Sequence, residues 1–227
     1  MRSTGTRPAV RTRTLGTAAG AVAAAAALLL SPVAPAQAAP APALAPAAAT
    51  AAAPGGNAAI LGIDYATWKR DVAAVIGEAR PYVEQRINRS PAGEKPAIVL
   101  DIDNSSLETD FHWFWTFPTP AISEVRDLTR YANERGVAIF FVTARPGIIH
   151  SLTERNLKSV GYPVSGLYVR DLPDLFHEVS TYKTAKRAEI EARGYTVIAN
   201  IGNKQSDLVG GHAERTFKLP DYDGKLS

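Results

Sequence analysis

The sequence contains no cysteine. This absence excludes a disulfide framework, a lipid-modified cysteine and a zinc site of the Cys/His type. The chain also lacks a Walker loop, a G-x-S-x-G nucleophile elbow and an H-E-x-x-H motif, and it shows no internal repeat. Its four histidines do not have the spacing of metal ligands: His112, His150, His177 and His212. Several common enzyme and metalloprotein classes are therefore removed from consideration.

A large excess of charge of one sign is also missing from most of the chain. The sequence has 25 Lys and Arg against 22 Asp and Glu, and its pI is about 9.2. However, Arg2, Arg7, Arg11 and Arg13 all lie near the N-terminus, and without these four the rest of the chain is close to neutral. We therefore expect neither duplex nucleic acid nor an anionic membrane as a partner.

The N-terminal segment has the pattern of a secretory signal peptide. Its arginines precede the apolar run from Leu15 to Leu30, and the A-x-A sequence Ala36-Gln37-Ala38 follows. The alternative is a membrane anchor, but the run is shorter than the ~20 apolar residues of a typical span. We predict a signal peptide over 1–38, secretion, and no membrane attachment after cleavage. An Ala/Pro-rich linker over 39–57 and one domain over 58–227 complete the expected organisation.

The domain alternates short apolar runs with helical patterns, which is typical of an α/β fold. Predicted strands cover Ala97–Leu100, Val137–Val142, Leu167–Val169 and Tyr195–Ile201, with a further one over Thr216–Leu219. The strands read as continuous apolar runs, so we expect a Rossmann-like parallel sheet with helices on both faces.

Capping and breaking residues predict four helices. They are a helix capped by Asp64 that Pro81 restarts or kinks, a helix opened by Thr119-Pro120 and closed by Gly136, a helix over Ile148–Leu157, and a helix capped by Ser180 or Thr181 and closed by Gly194.

Polar side chains follow three of the predicted strands where each strand ends. Asp101 and Asp103 follow the first, Thr143 and Arg145 the second, Asn203 and Asp207 the strand that ends at Ile201, and Lys183 lies near a helix start. The carboxyl ends of parallel strands meet at one edge of a sheet, where ligands bind. We therefore expect these seven side chains to converge.

This set of residues predicts phosphoryl chemistry. Oxygen ligands favour a hard cation such as Mg²⁺, which commonly contacts a substrate phosphate as well. Thr143, Lys183 and Arg145 are candidates to bind phosphoryl oxygens. One carboxylate can attack phosphorus, and a second can protonate the leaving oxygen and then activate water.

Four segments also resemble the motifs of the haloacid dehalogenase superfamily, in the same order. They are Leu100-Asp101-Ile102-Asp103-Asn104-Ser105, Phe140-Phe141-Val142-Thr143-Ala144-Arg145-Pro146, Tyr182-Lys183, and Gly202-Asn203-Lys204-Gln205-Ser206-Asp207-Leu208. Within that superfamily the chain is most similar to the secreted acid phosphatases that include plant vegetative storage proteins. The similarity rests on further segments such as Leu152–Leu157 and Phe217–Pro220.

The resemblance implies a role for each residue. Asp101 would be the nucleophile and a metal ligand, and Asp103 the acid/base with its backbone carbonyl on the metal. Thr143 and Lys183 would bind the phosphoryl group, and Asp207 would face the metal. Asn203 departs from the Asp usual at that position, so one negative charge is lost and Mg²⁺ binding should be weaker.

The resemblance also implies a small cap after the first strand, over about 104–120, where the aromatic run Asp110–Phe117 lies. These aromatic side chains would either stack on a substrate or pack the N-terminal helix against the domain, and His112 would either touch the leaving group or be a surface residue.

The sequence predicts a secreted, Mg²⁺-dependent phosphomonoesterase whose partner is a small phosphomonoester. The main alternative is a catalytically attenuated phosphate-binding or storage-like protein, and a less favoured one is a D-x-D glycosyltransferase.

Overall fold

The structure is a computed structural model that describes residues 55–227. The predicted signal peptide and all but the end of the predicted linker therefore lie outside the described residues. Between residues 55 and 227, no helix combines the length and the apolar character needed to cross a membrane.

A five-stranded, fully parallel sheet forms the centre of the described domain. Its strands lie in the order β3-β2-β1-β4-β5. They are β1 (Pro96–Leu100), β2 (Ala138–Pro146), β3 (Gly166–Arg170), β4 (Thr196–Gly202) and β5 (Thr216–Lys218). Every residue of β1 is buried, because this strand is central and both faces of the sheet are covered. The predicted parallel α/β sheet is confirmed.

The helices are α1 (Asn57–Ile60), α2 (Tyr65–Asn88), α3 (Ser123–Asn133), α4 (His150–Ser159), α5 (Val179–Ala192) and α6 (Gln205–Leu208). Ile98 and Leu100 of β1 lie in one core cluster with buried side chains of α2, α3 and α4. Val99, on the opposite face of β1, lies in a second cluster with Tyr182 and Ile190 of α5. Helices therefore cover both faces, as predicted.

Helix α2 begins as predicted but is not interrupted. The Asp64 side chain accepts a hydrogen bond from the backbone N–H of Thr67 at 2.8 Å and caps the helix. The helix then continues through Pro81 without restarting, and it buries Trp68, Val72, Ile76, Ala79 and Val83. The prediction that Pro81 restarts this helix is wrong, because packing of this apolar face offsets the lost backbone donor.

Helix α3 begins at Ser123, so the start predicted at Thr119-Pro120 is wrong. The Asn156 side chain accepts from the N–H of Thr119 and donates to its carbonyl, each at 2.9 Å. Ala121 then forms an antiparallel bridge with Leu107. Because these contacts use the backbone groups a helix would need, the segment stays extended until α3 begins.

Two other boundaries also differ from prediction. Helix α5 begins at Val179, ahead of the predicted caps Ser180 and Thr181, because the Glu178 carbonyl already accepts from the N–H of Tyr182. Strand β2 extends to Pro146, which pairs with Arg170 of β3, instead of ending at Val142.

Candidate active site

The strand order reverses between β1 and β4, and the carboxyl ends of these two strands form a crevice. The N–H of Asp101, directly after β1, donates to the carbonyl of Ile201 in β4 at 3.0 Å. A cavity of about 520 Å³ opens at this point. Its lining residues are Asp101, Asp103, Ala144, Arg145, Val179, Lys183, Lys204, Ser206, Asp207 and Ser227. This is the position where open parallel sheets bind ligands.

A buried lysine joins two of the predicted site carboxylates. Lys183 Nζ lies 2.5 Å from Asp101 Oδ1 and 2.7 Å from Asp207 Oδ1, and all three side chains are buried. Burial raises the pKa of Asp101 to about 6, and the nearby carboxylates act in the same direction against the Lys183 charge. Burial alone would lower the pKa of Lys183, but Asp101 and Asp207 outweigh it and raise that pKa. Lys183 therefore remains an ammonium between the two carboxylates.

Asp103 is paired with a different cation. Arg145 Nη2 donates to Asp103 Oδ1 at 2.7 Å and Nε donates to Oδ2 at 3.0 Å, while the Thr109 hydroxyl also donates to Oδ1. Burial opposes ionisation of Asp103, but these hydrogen bonds and the Arg145 charge lower its pKa below the ordinary value. Arg145 therefore orients the Asp103 carboxylate at the wall of the cavity.

Asp207 is positioned by residues that the sequence analysis does not identify. Its carbonyl accepts from Arg187 Nη1 and from Asn200 Nδ2, each at 2.8 Å, and its Oδ2 accepts from the N–H of Lys204. Arg187 is almost fully buried. Its spacing of four residues from Lys183 could have indicated a shared inward face.

The backbone approaches closely at the end of β4, where Gly202 lies against Asp207. A side chain at Gly202 would collide with Cβ and Oδ2 of Asp207. The glycine of the fourth motif therefore makes room for the buried carboxylate that follows it.

Two predicted site residues, Thr143 and Asn203, do not lie among the residues that line the cavity. The Thr143 hydroxyl is buried and accepts from the N–H of Arg145 at 3.2 Å. Asn203 Oδ1 accepts from Ser105 Oγ at 3.1 Å, and its Nδ2 donates to the carbonyl of Ser227 at 2.9 Å. Their contacts with phosphate and with metal therefore stay predictions.

The aromatic run after β1 divides into a packed part and an exposed part. Phe111 is buried and stacks on Trp68 of α2 at a centroid distance of 4.1 Å. Four other rings are exposed: Trp113, Phe114, Trp115 and Phe117. His112 lies 3.2 Å from Glu108 and not among the cavity residues. Packing against helix α2 explains the buried position of Phe111, but it does not explain why the other four rings are exposed.

The donor set suits a hard cation. The Lys183 ammonium bonds to both Asp101 and Asp207, which shows that these two carboxylates lie close enough to share one cation. Carboxylate oxygens are the ligands that Mg²⁺ prefers, and a backbone carbonyl is a further acceptable donor. Within the range 55–227 no group of three or more His, Cys, Asp or Glu side chains forms a metal site by itself. A cation here would thus take two carboxylates and complete its shell with carbonyl or water oxygens.

Comparison with known proteins gives consistent matches. Residues 108–225 match the family described as HAD superfamily, subfamily IIIB (acid phosphatase). The chain is 34% identical over 139 residues to the stem 28 kDa glycoprotein of Glycine max, covering 60% of this chain and 54% of that protein. It is 29% identical over 111 residues to acid phosphatase 1 of Solanum lycopersicum, covering 48% of this chain and 44% of that protein. The chain thus spans about half the length of the curated relatives it matches.

A third relative is vegetative storage protein 1 of Arabidopsis thaliana, 29% identical over 114 residues, with 48% of this chain and 42% of that protein covered. Among solved structures, the class C acid phosphatase from Bacillus anthracis with tungstate bound superposes with a TM-score of 0.53 at 17% identity. The match covers 70% of this chain and 79% of that one. This structural likeness supports the fold.

Proposed function

The chain belongs to subfamily IIIB of the haloacid dehalogenase (HAD) superfamily, the acid phosphatases, and from this premise we propose that it hydrolyses phosphomonoesters. The observation that carries the proposal is the buried Asp101–Lys183–Asp207 arrangement at the switch point of the sheet. It combines a nucleophilic carboxylate, a cation for a phosphoryl group and hard metal ligands at one cavity.

In the proposed reaction, a carboxylate oxygen of Asp101 attacks phosphorus and the bond to the ester oxygen breaks. Asp103, which must first take up a proton because its resting pKa is lowered, gives that proton to the leaving oxygen, so the alcohol departs and an aspartyl phosphate remains. Asp103 then takes a proton from water, which attacks phosphorus, breaks the acyl phosphate bond and restores the Asp101 carboxylate. Lys183 and Arg145 bind phosphoryl oxygens and neutralise their charge, and Thr143 keeps its predicted place as a further donor.

We propose Mg²⁺ as the cofactor. The carboxylates of Asp101 and Asp207 and the backbone carbonyl of Asp103 would hold it, and Asn203 keeps its predicted place as a weaker ligand. When bound, the cation supplies charge stabilisation to the transferring phosphoryl group.

Since plant relatives include a stem glycoprotein and a vegetative storage protein, secretion is the proposed location.

The second candidate function is a catalytically attenuated, storage-like phosphate binder. Two observations favour it: the match to a vegetative storage protein, and Asn203 in place of the usual acidic residue. Phosphate binding without turnover would support this reading.

Asp101→Asn tests the proposed function. Its amide is a far weaker nucleophile than the carboxylate, so turnover of p-nitrophenyl phosphate should fall on the order of 10³-fold or more. The assay compares the two proteins across pH, with Mg²⁺ and with chelator. Asp127→Asn, at an exposed surface pair with Arg126, is the matched control and should turn over like wild type.

Circular dichroism must show that Asp101→Asn remains folded. Metal-dependent turnover that this variant retains at near wild-type rate would refute the aspartyl-phosphate route. No turnover by folded wild-type protein, with phosphate still bound, would instead favour the storage-like candidate.

A further inference from the structure

The segment Tyr222–Ser227, which we call the tail, is anchored at the edge of the candidate active site. Leu226 is fully buried in the main core cluster. The N–H of Ser227 donates to Asp110 Oδ2 at 2.6 Å, and its carbonyl accepts from Asn203 Nδ2 at 2.9 Å and from Asn104 Nδ2 at 3.1 Å. Asn104, Asn203 and Asp110 are themselves buried, so these hydrogen bonds hold Ser227 in a defined position. We call this set of hydrogen bonds the anchor.

The Ser227 backbone oxygen determines which way the Asn203 amide faces, because it can only accept a hydrogen bond. Ser105 Oγ accepts from the backbone N–H of Asn203 at 2.9 Å and donates to Asn203 Oδ1 at 3.1 Å. Asn203 Oδ1 is therefore the acceptor of this pair, and Nδ2 must face the carbonyl of Ser227. An Asp at this position has no proton to donate to Ser227, so it would place a carboxylate against an oxygen that keeps only the Asn104 donor.

Ser227 also lines two cavities. One is the candidate active-site cavity, and the other, of about 400 Å³, is lined by Asn57, Ile60, Leu61, Asp110, Gly224, Lys225 and Ser227. The residue that Asn203 anchors is therefore common to the walls of both cavities.

We propose that Asn203 is a positioning residue for the tail, and that the anchored Ser227 is a wall that restricts the site to phosphomonoesters with small leaving groups. The size restriction rests on the proposed phosphatase function, whereas the anchor does not. With the tail released, the two cavities join and larger leaving groups extend into the second one.

Hydrogen exchange tests the anchor without any activity measurement. In Asn203→Asp, amides of the tail should exchange about tenfold faster than in wild type, because the carbonyl of Ser227 loses a buried donor. Ser227→Pro removes the N–H that bonds to Asp110 and the hydroxyl that accepts from Asn104, and it leaves Asn203 intact, so Leu226 should show a similar increase. Asn88→Asp, an exposed position with the same change of charge, is the control and should leave tail exchange unchanged.

Hydrolysis of two esters tests the wall. The probes are free phosphotyrosine and a phosphotyrosyl hexapeptide, which share the same reacting phosphate but differ in size. Wild type should favour phosphotyrosine in kcat/KM, and both tail-releasing variants should reduce this preference about fivefold or more, mainly through KM for the peptide. Ser227→Pro separates this effect from any change in metal binding, since it leaves all proposed metal ligands in place.

The possible results are distinguishable. Unchanged tail exchange in folded Asn203→Asp overturns the anchor. If tail amides exchange faster in both variants but the preference for the smaller ester is unchanged, Ser227 does not restrict the size of the leaving group. The role of Asn203 in anchoring the tail is then still supported. If no protein hydrolyses either ester, the proposed function and the wall fail together, and hydrogen exchange still decides the anchor.

Discussion

Lys183 supplies the positive charge that balances the two buried carboxylates of the candidate site. It bonds to both Asp101 and Asp207, and each of the three side chains is less than a tenth exposed. Buried charges are tolerated only when they are paired, so removal of this cation leaves two carboxylates facing one another.

Lys183→Met should therefore destabilise the metal-free protein by roughly 3–5 kcal/mol at neutral pH. Urea unfolding in the presence of chelator measures the change. Lys186→Met on the same helix is the control, since that ammonium is partly exposed and pairs with Glu189 at the surface. Adding Mg²⁺ should restore part of the lost stability, because the cation binds only the folded site. Equal stability of the two variants would contradict this account.

The sequence predicts which chemical groups line the cavity but not all of their partners. Asp101, Asp103, Lys183, Arg145 and Asp207 converge on one cavity as predicted, because their positions at strand ends and a helix start follow from local patterns. The placement of Asn203 and the burial of Arg187 depend on tail and loop contacts between residues distant in sequence.

At the scale of elements, helix α2 packs against the segment after β1 and so contacts the part of the chain that carries Asp103. Trp68 is fully buried and stacks on Phe111, and Tyr65 of the same helix donates to the buried carboxylate of Glu108. Loss of this contact should loosen the segment that carries Asp103 to Asp110.

Trp68→Ala should lower the free energy of unfolding by about 3–5 kcal/mol, because it deletes a large buried ring and leaves a cavity. Trp115→Ala is the matched control and should change stability by less than about 0.5 kcal/mol, since this ring is 63% exposed. Urea denaturation of both variants provides the comparison. A small effect of Trp68→Ala would show that α2 contributes little to the domain.

Element types were more predictable than element boundaries. The strands followed from apolar runs and α2 from the Asp64 cap, both of which are local signals. The start of α3 was missed because Asn156, far along the chain, holds Thr119 extended. A Pro at the first turn is a frequent helix start, but here tertiary hydrogen bonds determine the conformation.

At the scale of the whole molecule, one ion-pair group joins segments that are far apart in sequence. Arg86 at the end of α2 contacts Glu94, which precedes β1, and Glu214, which precedes β5. Its hydrogen bonds lower the pKa of Glu94 from 4.5 to about 2. A carboxylate with a depressed pKa stabilises the fold above its ordinary pKa, and this contribution is lost on acidification.

Wild type should accordingly lose stability as the pH falls from 4.5 towards 2, and Glu94→Gln should lose less over the same interval. The difference should be on the order of 1 kcal/mol, since the pair is partly open to solvent. Thermal unfolding of both proteins across this pH range measures it, with Glu84→Gln at an exposed pair as control. Parallel pH curves for wild type and Glu94→Gln would contradict the assignment.

The strand order has a further consequence for how the protein is made. Strand β1 pairs with β2 on one side and β4 on the other, yet β4 follows roughly 100 residues later in the chain. At a synthesis rate of about 5–20 residues per second, the edge of β1 that pairs with β4 stays unpaired for on the order of 5–20 s. Throughout that interval Asp101 has no strand β4 beside it, so the site can form only after β4 has been synthesised.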